Sequence, residues 1–416
     1  MKKPKKNYWE ERSRMSNIPK LRFPEFKGEW EEKKIIQFCE ISAGGDIDKN
    51  NSQKEYSSSY PYSVYSNSLE NKGLYGYANY YKIDSDVVTV TGRGDVGHAV
   101  ARHEKFVPIV RLLVCKPKNN ENVNFLENAI NKTKIFIEST GVPQLTAPQL
   151  GNVKLFLPSL AEQQKIADFL SNVDSIITAE TKILNTLQKK KKALMQKLFT
   201  QQLRFKSEDG TNFPAWEEKK FSEVFIYHQT NTFSRNMLNY EEGDTYNIHY
   251  GDILVKFGSY IDFDNSKIPF INSDVTLNKF VSDSFLKDGD IIIADTAEDE
   301  SAGKVSEVYN INNKKALSGL HTILCRPKQI FASKYLGYFM NSNVYHKQIV
   351  KLLVGTKVLS INKSVIADTI IQIPCLAEQQ KIADCLSSLD SLIQTQQKVV
   401  TTWQQRKKAL LQQMFV

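Results

Sequence analysis

The stretch "LAEQQKIADFLSNVDSII" at residues 160–177 returns as "LAEQQKIADCLSSLDSLI" at residues 376–393, with 14 of 18 letters identical. The segment "KKALMQKLF" at 191–199 returns as "KKALLQQMF" at 407–415, at the same spacing of 216 positions. An internal repeat of this kind indicates a duplicated structural unit. The sequence therefore predicts two halves that end in the same element.

The repeated element is predicted to be a long helix. Pro158 and Ser159 precede it, and Glu162 follows the serine by three residues, as in a capping box. Apolar residues then recur at spacings of three and four, which is the heptad pattern. A helix of about 40 residues is about 60 Å long. This length exceeds the diameter of a domain of ~160 residues, so pairing of the two helices is favoured over packing of each helix on its own globular part.

The heptad pattern also predicts which residues form the seam between the two helices. In the first helix the seam consists of Val173, Ile177, Glu180, Leu184, Leu187, Lys191, Leu194 and Leu198. In the second helix it consists of Leu389, Ile393, Gln396, Val400, Trp403, Lys407, Leu410 and Met414. Polar seam residues commonly fix the register of such a pair. In an antiparallel pair the numbers of facing residues add to a constant, and we expect 587, which pairs Lys407 with Glu180 and Lys191 with Gln396.

The remainder of each half varies in length. "WEEKK" occurs at 30–34 and 216–220, and "LLVCKPK" at 112–118 is echoed by "TILCRPK" at 322–328. The offset between halves grows from 186 to 210 to 216, so the globular parts differ by insertions. Short runs of Val and Ile at 84–94 and 288–296, bounded by Gly and Asp, are typical of strands. Each globular part is therefore predicted to mix strands and helices.

Composition narrows the class of protein. A chain of 416 residues exceeds what one core usually serves, which indicates at least two domains. The net charge of +9 and the pI near 9.0 favour a polyanionic partner, because Lys and Arg attract phosphates. The five cysteines contain no CxxC pair, which argues against a disulfide framework and against a zinc site. With no secretory signal and no apolar run near 20 residues, we expect a cytoplasmic protein without membrane contact.

Several motifs could indicate chemistry, but each has a simpler interpretation. "GRGDVG" at 92–97 fits GxGxxG, yet no helix pattern follows, so we expect a glycine-flexed loop with Arg93 at its tip or a plain turn. His98 and His103 do not fit the HExxH spacing of zinc enzymes. We interpret the acidic residues at 295–304 as a solvated turn rather than as the metal site of a nuclease. With no Walker lysine motif and no G-x-S-x-G, we expect a non-catalytic binding component without cofactor or metal.

The order of motifs resembles one protein family. "PKLRFPEFKGEWEEKK", "LPSLAEQQKIADFLSNVDSII", "FPAWEEKK" and "IPCLAEQQKIADCL" follow one another, with a variable part after each tryptophan segment. In this order the chain from about residue 18 to 416 resembles the specificity subunit of type I restriction-modification systems. The resemblance implies two target-recognition domains that each read one half of a split double-stranded DNA target. It further implies that the helices are spacers that dock two modification subunits, and that restriction subunits with motor and nuclease activity join for cleavage.

The predicted fold class is α+β, with two mixed α/β target-recognition domains joined by two long antiparallel coiled-coil helices about a pseudo-twofold axis. Residues 1–17 are expected to form a basic arm without fixed structure, unless Met15 is the true start. The domains are expected at 18–157 and 203–373, with the spacer helices at 158–202 and 374–416. Equal helix lengths would fix the distance between half-sites, and divergent domains would let the half-sites differ.

The residues expected to contact DNA combine phosphate-binding cations with side chains that read base edges. In the first domain they are Tyr75, Tyr77, Tyr80, Tyr81, Arg93, Gln144, Thr146 and Gln149. In the second domain they are Lys256, Lys304, His321, Thr356, Lys357 and Lys363. The tyrosines are equally compatible with packing. "GTK" at 355–357 replaces "GVP" at 141–143, so the two loops need not read DNA alike.

Two other classes of protein remain open at this point. A stand-alone coiled-coil scaffold could use its basic charge for RNA, or for no nucleic acid at all, and it would bind no methyltransferase. A self-contained restriction enzyme with a diverged active site would cleave DNA when purified alone.

Overall fold

The computed structural model describes residues 17–133, 135 and 144–416. The predicted basic arm, apart from Asn17, lies outside the described residues, as does the "GVP" segment at 141–143. The chain divides into two compact units. Unit 1 contains the described residues up to Thr181 together with Lys398–Val416, and unit 2 contains Lys182–Gln397.

Unit 1 is built mainly from two small sheets. Its helices are α1 (Ile35–Phe38), α2 (Val123–Lys132) and α3 (Ala147–Gly151), and its strands are β1 (Glu31–Lys34), β2 (Cys39–Ala43), β3 (Ser52–Gln53), β4 (Tyr62–Tyr65), β5 (Leu74–Ala78), β6 (Val87–Val90), β7 (Ala99–Arg102), β8 (Phe106–Pro108), β9 (Leu113–Pro117) and β10 (Lys154–Leu157). The sheets have the orders β2-β9-β6-β7 and β3-β5-β4-β8, and β1 pairs with β10. All four residues of β6 are buried, which explains its continuous run of Val and Thr.

Unit 2 follows a similar plan with more strands. Its helices are α5 (Phe221–Val224), α6 (Tyr250–Val255), α7 (Tyr335–Met340), α8 (Asn343–Val350) and α9 (Lys363–Ile366), and its strands are β11 (Glu217–Lys220), β12 (Phe225–His228), β13 (Leu238–Asn239), β14 (Thr245–Ile248), β15 (Tyr260–Asp262), β16 (Phe270–Ile271), β17 (Ile291–Ala294), β18 (Thr296–Ala297), β19 (Val305–Tyr309), β20 (Lys315–Ser318), β21 (Thr322–Pro327), β22 (Leu359–Ser360) and β23 (Ile370–Ile373). The sheets have the orders β12-β21-β17-β19-β15 and β13-β16-β14-β20, and β11 pairs with β23, as β18 does with β22.

The strand registers show that the two units share one scaffold. Val88 of β6 lies opposite Cys115 of β9, and Ile291 of β17 lies opposite Cys325 of β21. The two cysteines belong to the "LLVCKPK" and "TILCRPK" segments. The repeated letters "EEKK" form the first strand of each unit, and each pairs antiparallel with the strand that leads into a long helix. Corresponding positions in the two units can therefore be compared residue by residue.

Two long helices, α4 (Leu160–Phe199) and α10 (Leu376–Met414), have 40 and 39 residues, which confirms the predicted helix pair. The start of α4 and the end of α10 both belong to unit 1, while the end of α4 and the start of α10 both belong to unit 2. The helices therefore run antiparallel. Their ends also complete the cores, since Phe415 stacks on Phe125 in unit 1 and Phe199 packs against Phe339 in unit 2.

The predicted helix register is wrong. In unit 2 the Lys191 Nζ lies 2.5 Å from the Asp390 Oδ1, and in unit 1 the Lys407 Nζ lies 2.6 Å from the Asp174 Oδ1. The numbers 191 and 390 add to 581, as do 407 and 174, whereas the prediction required 587. The prediction assumed that the seam lysines need polar partners within the seam. A lysine instead keeps its apolar stem in the seam and extends its ammonium to an aspartate beside it.

The sixteen predicted seam residues share one property, which is that none is fully exposed. Val173, Leu184, Leu198, Val400 and Met414 are buried, and the others are half-buried. The assignment of these residues to a helix–helix seam stays a prediction. Because the predicted register is wrong, the partners that it assigned to them across the seam do not stand.

A buried glutamate explains why the helix motif carries its "AEQQ" letters. The Glu162 carboxylate, 1% exposed, accepts two hydrogen bonds from the Arg22 guanidinium, at 2.7 and 2.8 Å. The Trp30 Nε1 also donates to it, at 3.4 Å. The predicted capping box is only half formed, because the Ser159 hydroxyl accepts from the Glu162 backbone N–H while the glutamate side chain turns to Arg22.

We call this buried glutamate with its arginine and tryptophan partners the clamp, and the same clamp recurs in unit 2. The Glu378 carboxylate, 0% exposed, accepts from the Arg204 guanidinium at 3.0 and 2.7 Å and from the Trp216 Nε1 at 2.9 Å. The hydrogen bonds to the glutamates raise the pKa of Arg22 and of Arg204. Each clamp therefore ties the segment that precedes the first strand of a unit, β1 or β11, to the first turn of a long helix.

The glutamine that follows each clamp glutamate makes a second tie. Gln163 accepts a hydrogen bond from the Asn122 N–H at 3.1 Å and donates to the carbonyl of the proline two residues before the helix. Gln379 does the same with the Ala332 N–H, at 2.9 Å, and with the equivalent proline. The repeated letters thus bind each helix start to the loop that precedes α2 or α7.

We expect Arg22→Ala to destabilise unit 1 by about 3–5 kcal/mol, because it leaves the Glu162 carboxylate buried without its charged partner. Arg204→Ala should have a similar effect on unit 2. Urea unfolding followed by tryptophan fluorescence measures the change in the free energy of unfolding. Lys20→Ala, which removes an exposed cation from the same segment, is the control. A loss for Arg22→Ala no larger than for this control would contradict the clamp.

The revised register predicts two unequal coupling energies. Lys191 and Asp390 are only 19% and 17% exposed, and Asp390 also accepts from the Tyr338 hydroxyl at 2.6 Å, so a double-mutant cycle to alanine should give about 1–3 kcal/mol. Lys407 and Asp174 are 26% and 48% exposed, and their cycle should give about 0.2–1 kcal/mol. The exposed neighbour Lys192 should show no coupling to Asp390. Equal coupling of Lys191 and Lys192 would argue against the register.

Candidate functional site

The loop between β6 and β7 meets the segment before α3 in unit 1. Arg93 and Gln144 form an antiparallel bridge, and the Leu145 N–H donates to the Gly92 carbonyl at 2.9 Å. The Arg93 Nη2 lies 3.5 Å from the Gln144 Oε1. A side chain at Gly92 would place a Cβ 3.0 Å from the Leu145 carbonyl oxygen, so glycine permits this approach. Two of the predicted contact residues, Arg93 and Gln144, are therefore neighbours.

Thr146 and Gln149 have a local structural role. Thr146 is the N-cap of α3, and its hydroxyl accepts from the Gln149 backbone N–H while the Gln149 side chain accepts from the Thr146 N–H at 2.9 Å. The Thr146 hydroxyl also donates to the Gln149 Oε1 at 2.8 Å. These bonds fix the chain direction directly after Gln144. We call the β6–β7 loop and the segment before α3 the loop pair of unit 1. Both residues support this loop pair whether or not they contact a ligand.

The predicted tyrosines lie in β5 of unit 1 and shortly after it, and two of them pack in separate pairs with tyrosines that the sequence did not predict as contact residues. Tyr77 packs edge-on against the exposed Tyr56 at 5.5 Å, and Tyr81 packs against Tyr62 at 5.0 Å between ring centroids. Tyr80 is half-buried and packs against a small apolar cluster. Two lysine ammonium groups lie over exposed rings.

These lysines are Lys54, 3.6 Å from the ring centroid of Tyr75, and Lys105, 4.5 Å from that of Tyr81. Cations that rest on tyrosine faces keep their charge at the surface. Each of these two exposed rings therefore has a cation on its face. The signal that could have revealed Tyr56 and Tyr62 is the alternation of tyrosine with serine and proline at 56–65.

Unit 2 contains the same loop pair with different side chains. Thr296 and Ser360 form the bridge that Arg93 and Gln144 form in unit 1, and the Ile361 N–H donates to the Asp295 carbonyl at 2.8 Å. Thr296 and Ser360 were not among the predicted residues. The offset between the halves changes inside this loop, so the repeat alone did not align them.

Two of the predicted lysines of unit 2, the half-buried Lys304 and the exposed Lys256, have partners within the fold. The Lys304 Nζ donates to the Leu254 carbonyl at 2.8 Å, and burial lowers the pKa of this lysine. The Lys256 Nζ lies 2.9 Å from the buried Asp252 carboxylate. Neither lysine belongs to the bridge at Thr296.

The other predicted residues of unit 2 surround its loop pair. His321 lies beside it, with its Nδ1 3.3 Å from the Asp295 Oδ1. Thr356 and Lys357 are exposed in the turn that precedes β22. Lys363 begins α9, and its ammonium lies 5.5 Å from the Tyr227 ring centroid.

One histidine next to this region is held neutral. His249 is 6% exposed and caps α6, since its Nδ1 accepts from the Gly251 N–H at 3.2 Å. Burial, and to a lesser degree the nearby Arg235 guanidinium, lower the pKa of His249 from 6.5 to about 4. The cap requires an unprotonated Nδ1, so geometry and pKa agree.

Within residues 17–133, 135 and 144–416, no three His, Cys, Asp or Glu side chains are grouped to hold a metal ion. None of the helices in the described part of the chain is both long and apolar enough to cross a membrane.

Comparison with known proteins identifies the family. The model of the type I restriction modification DNA specificity domain matches residues 27–189 and again residues 214–402, and the chain therefore belongs to this family. The fold agrees with it. The chain is similar to the crystal structure of a type I restriction-modification S subunit from M. genitalium, with a TM-score of 0.59 and 14% identity over 96% of this chain and 99% of that one.

Two curated relatives are similar in sequence. The specificity subunit of the type I restriction enzyme MjaVIII from Methanocaldococcus jannaschii is 28% identical over 285 residues, which are 66% of this chain and 64% of that protein. A putative type I specificity subunit from Mycoplasma pneumoniae is 33% identical over 141 residues, which are 33% of this chain and 39% of that protein. The chain thus spans less than two thirds of the length of either relative.

The neutral state of His249 predicts a pH dependence of unit 2. The pKa of His249 is lower in the folded chain than in the unfolded chain, so the unfolded chain binds the proton at a higher pH. The stabilisation that the neutral imidazole gives to unit 2 is therefore present above pH 6.5 and is lost as the pH falls towards 4. His249→Asn keeps a side chain that caps helices and cannot be protonated in this range. Below pH 6 the unfolding midpoint of the variant should therefore rise relative to that of the wild type. A constant difference from pH 8 to pH 4 would refute the assignment.

Proposed function

We propose that this chain is the DNA-binding specificity subunit of a type I restriction-modification complex, and that each unit reads one half of a bipartite, asymmetric DNA target. The helices α4 and α10 set the spacing of the half-sites and dock two modification subunits, which carry the methyltransferase chemistry. Restriction subunits join the complex for cleavage. The chain itself performs no chemistry, and it acts in the cytoplasm, where the DNA is.

The observation that carries this proposal is one scaffold used twice with different loops. The clamp at Glu162 and the clamp at Glu378 are alike in every partner, whereas the bridge changes from Arg93 and Gln144 to Thr296 and Ser360. A duplicated frame presents two reading surfaces to one duplex, and different side chains read different bases. A protein that only held other subunits together would not need this difference.

Charge and aromatic surface support double-stranded DNA as the ligand. The net charge of +9 provides phosphate contacts that do not depend on sequence. In unit 1 two cations lie over exposed rings, Lys54 over Tyr75 and Lys105 over Tyr81. We assign these two cation–ring pairs to backbone contact and the loop pair to base reading, since phosphate contacts position a protein and base contacts specify the sequence.

Replacement of one unit tests the division of labour. Exchange of residues 21–157 for the equivalent region of another specificity subunit should change one half of the methylated sequence and leave the other half and the spacer intact. The readout is sequencing of methylated sites in a host that carries the chain with its modification subunits. Exchange of residues 205–373 is the matched experiment and should change only the other half.

The two exchanges separate the proposal from its alternatives. A continuous target in the wild type, or a change of both halves after either exchange, would contradict the bipartite assignment. Insertion of four residues between 199 and 211 should lengthen the spacer or abolish binding without altering either half. An inserted chain that recognises new bases would show that the linker takes part in reading.

A further inference from the structure

We infer that Arg93 reads a guanine in the half-site of unit 1, that Gln144 positions its guanidinium, and that Thr296 with Ser360 gives unit 2 a different base preference at the equivalent place. This inference rests on the proposed function. It goes beyond that function because it names one reading position in each unit and the base that one of them selects.

The equivalence of the two positions is fixed by backbone hydrogen bonds. In unit 1 the Gly97 N–H donates to the Thr91 carbonyl at 2.8 Å, and in unit 2 the Gly303 N–H donates to the Ala294 carbonyl at 2.8 Å. Gly97 and Gly303 have φ values of +89° and +85°, a conformation that favours glycine. Each loop is thus closed in the same way at its far end.

The near end of each loop is equally matched. Leu145 and Ile361, both buried, donate to the residue that precedes the bridge, at 2.9 and 2.8 Å. The next residue caps a short helix in both units, Thr146 in unit 1 and Asn362 in unit 2. Arg93 therefore corresponds to Thr296, and Gln144 corresponds to Ser360, with the loops anchored on both sides.

Arg93 has the chemistry and the freedom to read a base. It is half-buried, and the described residues provide it with no acidic partner. Gly94, with a φ of +68°, follows it with open space on its outer side. An arginine whose backbone is held by a bridge, and which has no acidic partner in the described part of the chain, can present its planar fork to the O6 and N7 of guanine, which is the commonest specific contact in the major groove. The Gln144 Oε1, 3.5 Å from the Nη2, limits the rotation of that fork.

The loop of unit 2 offers the opposite chemistry. It carries no arginine at the bridge, and the exposed Glu298, Asp299 and Glu300 follow Thr296. Carboxylates accept hydrogen bonds from the amino group of cytosine, and threonine offers a methyl group to thymine. The O6 and N7 of guanine are hydrogen-bond acceptors, and there they would face carboxylate oxygens, which are acceptors as well. Unit 2 is therefore expected not to select guanine at this position.

The test uses the full chain, co-expressed with its modification subunits in a host without other methylation, and sequencing of methylated sites. Arg93→Ala should lower the discrimination for guanine at one position of one half-site about 5- to 150-fold and leave every other position unchanged. Arg93→Lys should reduce the same discrimination by a smaller factor, because lysine can donate to guanine but lacks the planar fork. Gln144→Ala should weaken that position and no other.

The control is Lys116→Ala, which removes an exposed cation of unit 1 on β9 and should leave the motif intact. If both Arg93→Ala and Arg93→Lys keep the full motif, Arg93 contacts no base and the inference fails. It also fails if the half-site that the exchange of residues 21–157 assigns to unit 1 contains no G·C pair. A wild-type chain that directs no sequence-specific methylation would instead overturn the proposed function. Equal unfolding midpoints of the variants exclude a loss caused by misfolding.

Discussion

The interaction on which the structure depends is a buried carboxylate shared by an arginine and a tryptophan. Glu162 stands in the first turn of a 40-residue helix, and its partner Arg22 lies 140 positions earlier in the chain. A buried charge without its partner is strongly destabilising, so the opening segment of the unit cannot leave the helix start at low cost. The domain inserted between them is free to change, provided that its first and last strands, β1 and β10, still pair. One ionic contact thus separates the part of the chain that must be kept from the part that can vary.

Much of this arrangement was predictable from the sequence, because the internal repeat of the sequence corresponds to the duplicated unit of the fold. The helix pair, the two mixed domains and the family followed from the positions of "LAEQQKIA" and "LRFPEF". The role of Glu162 did not follow, since a glutamate three residues after Ser159 has a local explanation as a capping box. Its true partner lies far away in sequence, and no spacing rule reaches that distance. The register of the helices failed for a related reason, because Lys191 extends out of the seam to a carboxylate beside it.

The loop pair of unit 1 was easier to find from the sequence than the loop pair of unit 2. Arg93 and Gln144 stand at a glycine-rich loop and a proline-flanked segment, which are signals that composition can reveal. Thr296 and Ser360 carry no such signal, and they become visible only when the strand pairing aligns the two loops. The prediction for Lys304 stays untested, but its ammonium already donates to a backbone carbonyl, which the sequence did not indicate.

The return of the second helix to unit 1 has a consequence for biosynthesis. The Leu21 N–H donates to the Gln413 carbonyl at 2.9 Å, and Phe415 packs edge-on against Trp30 in the core that the first domain builds. Residues 182–397 are contiguous and have all their core residues as soon as they leave the ribosome. The first domain, although translated earlier, lacks the core residues Met414 and Phe415 until residues 398–416 arrive. A ribosome that stalls before residue 398 therefore releases a chain whose older half is the incomplete one, and exposed apolar surface of this kind is what chaperones and proteases bind.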